Sequence, residues 1–126
     1  MAFDGGGEID KSFAAAADLS THQFKLVYID ANGRAALGTA YTSPVMGVLQ
    51  NKPAAADDVA RVRMIGISKV KCGAALNESD FIASNGEGFG TATTLDTAYY
   101  VGRVLVATGG SGELGEIMVN PGKYPG

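Results

Sequence analysis

The chain contains no tryptophan, one cysteine (Cys72) and one histidine (His22). A lone cysteine excludes an internal disulfide and cannot furnish a zinc cluster. With a single histidine, any Ser-His-Asp or Cys-His arrangement would have to use His22. That residue stands two positions from Phe24, at the border of an N-terminal segment, and reads as a solvated or capping group. No apolar run is long enough to span a membrane as a helix. The opening residues, Met1 to Gly7, do not show the basic-then-apolar order of a secretory signal. The formal net charge of −3 argues against a dedicated nucleic-acid binder. Without tryptophan, and with Tyr41, Tyr99, Tyr100 and Tyr124 scattered, the chain offers weak support for sugar binding.

Glycine is what the chain has in quantity, 18 residues among 126, together with much Ala, Thr and Val. That mixture favours turns and short strands over long helices. The length suits one domain with a modest core. The central stretch from Val59 to Cys72 organises the rest. One alternating set reads Ala60, Val62, Met64, Gly66, Ser68, Val70, Cys72; the other reads Val59, Arg61, Arg63, Ile65, Ile67, Lys69, Lys71. Strand side chains alternate between faces, so one face is small and apolar and the other carries four cations around two isoleucines. A helix through the same residues would mix basic and apolar positions on every side, and Gly66 would weaken it. The stretch therefore predicts a long antiparallel strand, bent at Gly66, with Cys72 facing the core as a small apolar filler.

In chain order, residues 1–20 read as an arm, 21–122 as a β domain and 123–126 as a tail. The arm is either a loose tail or a segment that orders on a partner through Phe3, Ile9 and Phe13. Folded structure is expected to start at Gln23. Strands are predicted at 24–29, 34–37, 45–49, 59–72, 81–84, 99–107 and 115–119. Asp30 to Gly33 reads as a turn, and Asn85-Gly86 as a hairpin signal. Residues 87–94 fit either a strand or a loop, and 95–98 fit one helical turn. Leu26, Tyr28, Val48, Val62, Met64, Val70, Val104 and Val106 form the expected core. The fold class is all-β: a small antiparallel β-sandwich or barrel with an extended N-terminal arm.

Motifs for chemistry are sparse. Gly110-Ser-Gly-Glu-Leu-Gly115 has the spacing of a dinucleotide loop, but such a loop needs a helix behind it, and Glu116 to Val119 reads as a strand. Asn85-Gly-Glu-Gly-Phe-Gly-Thr91 resembles the glycine-rich motif of trimeric dUTP pyrophosphatases. It lies inside the chain rather than at its end and lacks the arginine before the glycines, so it reads as chance similarity in a loop. Asp57-Asp58 and the pair Glu78 and Asp80 lack a calcium-loop spacing or a third ligand and read as solvated acids. The stripe of Arg61, Arg63, Lys69 and Lys71 fits either a solvated strand face that discourages edge pairing or a contact with an acidic protein surface. No aromatic interleaves it, so single-strand stacking is unsupported.

Taken in order, the segments resemble the tailed-phage capsid cement, or head decoration, proteins. The features are Val45 to Gln50, the basic-apolar strand with Ile65-Gly-Ile67, Ala74-Ala-Leu76, Asp80 to Gly86, Tyr100 to Val106, Gly109 to Gly112 and Gly115 to Val119. They cover roughly Phe24 to Gly122; the signal is their order and spacing rather than one motif. Two departures are Ser79 before Asp80, where the family often has glycine, and the long Ala-rich arm. The resemblance implies a structural virion protein, not an enzyme, that binds the outer surface of an icosahedral capsid. It implies the major capsid protein as partner, homotrimers at three-fold positions, synthesis in the host cytoplasm, and no cofactor, metal, membrane or direct nucleic-acid contact. Candidate contact residues are Phe3, Ile9, Phe13, Arg61, Arg63, Lys69 and Lys71. A head fibre base or carbohydrate-binding module is the alternative, and a small trimeric nucleotide hydrolase ranks below it.

Overall fold

A computed structural model describes residues 8–94 and 98–123. Among these residues the protein is all-β, without helices. Nine strands are present: β1 (Ile9–Ala14), β2 (Leu26–Ile29), β3 (Ala35–Leu37), β4 (Gly47–Leu49), β5 (Val59–Lys71), β6 (Phe81–Ser84), β7 (Gly90–Ala92), β8 (Tyr99–Val106) and β9 (Leu114–Lys123). They form one antiparallel sheet in the order β3-β2-β4-β5-β9-β8-β6-β7, with β1 also on β5. The sheet curls into a half-barrel. Its far end returns toward β5: Cys72 bridges Gly90, and the Gly73 amide donates to the Gly90 carbonyl at 2.9 Å.

The axis of the curl is β5. Its alternation is as the sequence predicts: Ala60, Val62, Gly66, Ser68, Val70 and Cys72 are buried and Met64 is half-buried, while Val59, Arg61, Ile65, Ile67 and Lys69 are exposed. Gly66 has φ +115°, a conformation that costs a side-chain-bearing residue heavily. There β5 changes partner, pairing β1 through Ile65 and β9 from Gly66 onward. The bend splits the interior. Leu26, Val48, Val70, Ile82, Val101, Val104, Ile117 and Val119 fill one cluster, and Ala15, Leu19, Val27, Ala35, Leu49, Ala60 and Val62 fill the other.

Several boundaries differ from expectation. Phe24 sits at φ +66°, so the strand expected from 24 begins at Leu26. Folded structure starts well before Gln23: β1 pairs with β5, and Ala15 and Leu19 are buried. The Asp30–Gly33 turn is present, with the Gly33 amide donating to the Asp30 carbonyl at 3.0 Å. Residues 90–92 pair with β6 as a strand, joined through the Asn85 turn. Of the helical turn expected at 95–98, residues 95–97 lie outside the described residues. β9 runs on through Pro121 to Lys123, pairing Tyr99 and Tyr100. Pro121 falls beyond the last residue that β5 pairs and within the register shift between Gly102 and Tyr100 of β8, where no ladder partner is assigned to it.

In the expected core, Leu26, Val48, Val62, Val70 and Val104 are buried, and Tyr28 and Met64 are half-buried. Val106 is instead 52% exposed. The β8–β9 register slips between Val104 and Val106, and that irregularity turns Val106 outward.

Candidate interaction surface

Two of the four predicted cations are occupied by the chain itself. The register sets Asp10 against Arg63. Arg63 Nε donates to Asp10 Oδ1 at 2.8 Å and Nη2 to Oδ2 at 3.1 Å, a two-point pair in which each partner is about one-fifth exposed. Arg63 Nη1 also donates to the Ile67 carbonyl at 2.9 Å, and Glu8 lies 3.6 Å away. The Asp10 hydrogen bond raises the Arg63 pKa still further, so it stays charged. Arg61 Nε lies 3.6 Å from Asp10 Oδ2, the oxygen that Arg63 Nη2 also binds. Lys69 and Lys71 lie beyond the bend. Lys69 sits 6.0 Å from the Phe24 ring centre, and Lys71 adjoins His22 and Lys25.

Of the three apolar anchors, Phe3 lies outside the described residues. Ile9 is exposed, paired across the strands with exposed Ile65. Phe13 is half-buried against the Ala60–Val62 cluster, with Lys11 Nζ 5.6 Å from its ring centre. Phe13 therefore packs on its own domain, whereas Ile9 faces outward.

The outer face of β5, β9, β8 and β6 was not singled out from the sequence. The registers align Ile67, Met118, Arg103 and Phe81 in one row across four strands. Ile65, Ile67, Leu105, Val106, Leu114 and Met118, all exposed, lie on this face. Single exposed apolar residues are ordinary, but a group of them along one sheet face makes that face a candidate interaction surface. Alternation in β8 and β9 carried this signal, and knowledge of strand order was needed to combine it. In the middle, Phe81 and Tyr100 pack with ring centres 4.8 Å apart, and the Arg103 guanidinium lies 4.8 Å from the Phe81 centre. Gly102 lets β8 approach β9, since a Cβ there would collide with the Met118 carbonyl.

The other motifs have structural roles. His22 Nδ1 lies 3.1 Å from Lys25 Nζ, which also sits 4.2 Å from the Phe89 ring centre. Desolvation, then the charges of Lys25 and Lys71, lowers the His22 pKa; desolvation and Lys71 lower that of Lys25. Asp57 pairs with Arg34 at 2.8 Å, and Asp80 accepts the Asn77 amide at 3.0 Å. Asn85 Oδ1 accepts the amides of Glu87 and Phe89, so the glycine-rich Asn85–Thr91 segment is the β6–β7 turn and the first two residues of β7. Gly110 to Gly115 turns directly into β9. Cys72 is buried. Among the described residues, no three His, Cys, Asp or Glu side chains are grouped to hold a metal ion.

The architecture places the protein among small all-β curled-sheet domains. No protein-family model matches the sequence, and no curated protein does. Among solved structures, the fold is similar to the N base of head fibre gp8.5 of bacteriophage phi29. The TM-score is 0.65 at 14% identity, over 90% of this chain and 94% of that one.

Proposed function

We propose that the protein is a non-catalytic structural component of a phage virion, made in the host cytoplasm and seated on the outer surface of the icosahedral head. The fold shared with a head fibre base over nearly the full length of both chains is the observation that carries this reading. The ordered segments that resemble capsid cement proteins point the same way. On this reading the major capsid protein is the partner. Homotrimers at three-fold positions would repeat each contact by symmetry, and binding to the assembled shell would stabilise it against the pressure of packaged DNA. No cofactor, nucleic acid or membrane enters the mechanism.

The fold neighbour favours a second reading, in which the domain is the capsid-proximal base of a head fibre. Copy number separates the two. Purified virions are quantified for this chain against the major capsid protein. Comparable copy numbers are expected for a cement protein, and a few copies per particle for a fibre base. Absence from virions refutes both.

A further inference from the structure

A groove runs along the outer face between β6, β8 and β9, lined by Phe81, Tyr100, Arg103, Leu105, Met118 and Asn120. We propose that it docks a protein surface presenting an apolar side chain flanked by a carboxylate. This rests on the shell-binding reading above and deepens it by assigning the contact to one groove and one partner chemistry.

Arg103 carries the argument. Its Nε donates to the Ser79 carbonyl at 3.1 Å and its guanidinium rests against Phe81. The group is thus held in place before any partner arrives, which lowers the ordering cost of binding. Unlike Arg34, Arg61 and Arg63, it has no carboxylate partner among the described residues. Met118 and Leu105, 41% and 40% exposed, flank it. An arginine and aromatics amid exposed aliphatic groups is the composition of interface hot spots.

Charge selects the occupant. The chain is net negative, yet this face sets Arg103, Lys69 and Lys71 against Glu116, which lies opposite Lys69. A second copy docked face to face by two-fold symmetry would set this face, with three cations to one carboxylate, against itself and leave an excess of positive charge. An acidic patch on a different protein complements them. A sugar would need an open aromatic face, but Arg103 covers Phe81, and Tyr100 packs on Phe81 and across Gly122.

The test measures binding of the full chain to purified shells of its own phage that lack this protein. Arg103→Glu and, independently, Leu105→Asp are each expected to weaken binding by at least about thirtyfold, the first by breaking one side of a buried charged contact and the second by burying an unpaired carboxylate beside the partner's own. Arg103→Lys should retain part of the affinity, and Lys52→Glu, the same charge change at an exposed loop residue, should retain all of it. Circular dichroism verifies that each variant is folded. Unchanged binding of folded Arg103→Glu and Leu105→Asp overturns the groove assignment while leaving shell binding intact. An equal loss in Lys52→Glu overturns it in favour of net charge. A change in the isolated chain's oligomeric state without a change in shell binding gives the groove to a second copy and overturns it. Failure of the unaltered chain to bind shells overturns this inference together with the shell-binding reading.

Discussion

Removing the carboxylate at Asp10 should loosen β1 from the domain, and the size of the effect follows from its geometry. Asp10 and Arg63 make two charge-assisted hydrogen bonds at 2.8 and 3.1 Å. Fully exposed pairs contribute roughly 0.2–1 kcal/mol, and a charged hydrogen bond shielded from water about 1.5–3 kcal/mol. Side-chain exposures of 18% and 22% place this pair between those limits, so a coupling of about 1–2 kcal/mol is expected. Single alanine variants should lose more than the coupling, because Arg63 also bonds the Ile67 carbonyl and Asp10 also faces Arg61. A double-mutant cycle of Asp10→Ala and Arg63→Ala, read by urea unfolding, isolates the pair. Amide exchange of residues 9–14 should accelerate in Asp10→Ala by at least roughly five- to thirtyfold, the local reading of the coupling alone, since this single variant also loses the contact with Arg61. A coupling below about 0.3 kcal/mol would refute the reasoning. So would β1 amides that exchange freely in the unaltered protein, since β1 would then not be docked in solution. A coupling of the expected size also means that Arg63 is spent on its own chain rather than offered to a partner.

Other outcomes test the packing and electrostatics. Ile82→Ala, at a fully buried position, should cost about 2–5 kcal/mol in urea unfolding, whereas Val106→Ser, on the outward side of the β8 irregularity, should shift stability by less than about 0.5 kcal/mol. A Val106→Ser loss as large as that of a core residue would contradict the outward placement. Gly66→Ala should cost roughly 1–3 kcal/mol, because alanine is strained at φ +115°; unfolding midpoints at unchanged slope measure it, and a neutral result would remove the bend. For His22 the folded pKa lies below the ordinary 6.5, chiefly through desolvation and then Lys25 and Lys71. The unfolded chain therefore binds the proton more readily, and stability should decline as pH falls from 6.5 through the folded value. His22→Gln should flatten that decline; an equally steep decline in the variant would show that other groups cause it.

The primary structure was sufficient wherever one local rule decided the outcome. Alternation from Val59 to Cys72 predicted which side chains of β5 are buried, because a period of two leaves a strand only one apolar face. Gly66 predicted the bend, and Asp30–Gly33 its turn, because few residues accept the positive φ of Gly66 and Gly33; Asn85-Gly86 marked the site of a hairpin, but its left-handed residue is Gly88 and its Asn85 acts through the side chain. The all-β class followed from short apolar runs punctuated by glycine. Long-range pairing decided the rest. Ile9 to Ala14 follows a glycine run, has no apolar alternation and reads as an arm, but Arg61 and Arg63, some fifty residues away, supply the charges that Asp10 and Glu8 meet. Val106 alternates like a core residue, and only the register slip against β9 turns it outward. The groove around Arg103 depends most on tertiary structure. Its residues come from β6, β8 and β9, and no local pattern links them. They become neighbours because the sheet order places those three strands side by side, with Gly102 admitting the close approach of β8 to β9.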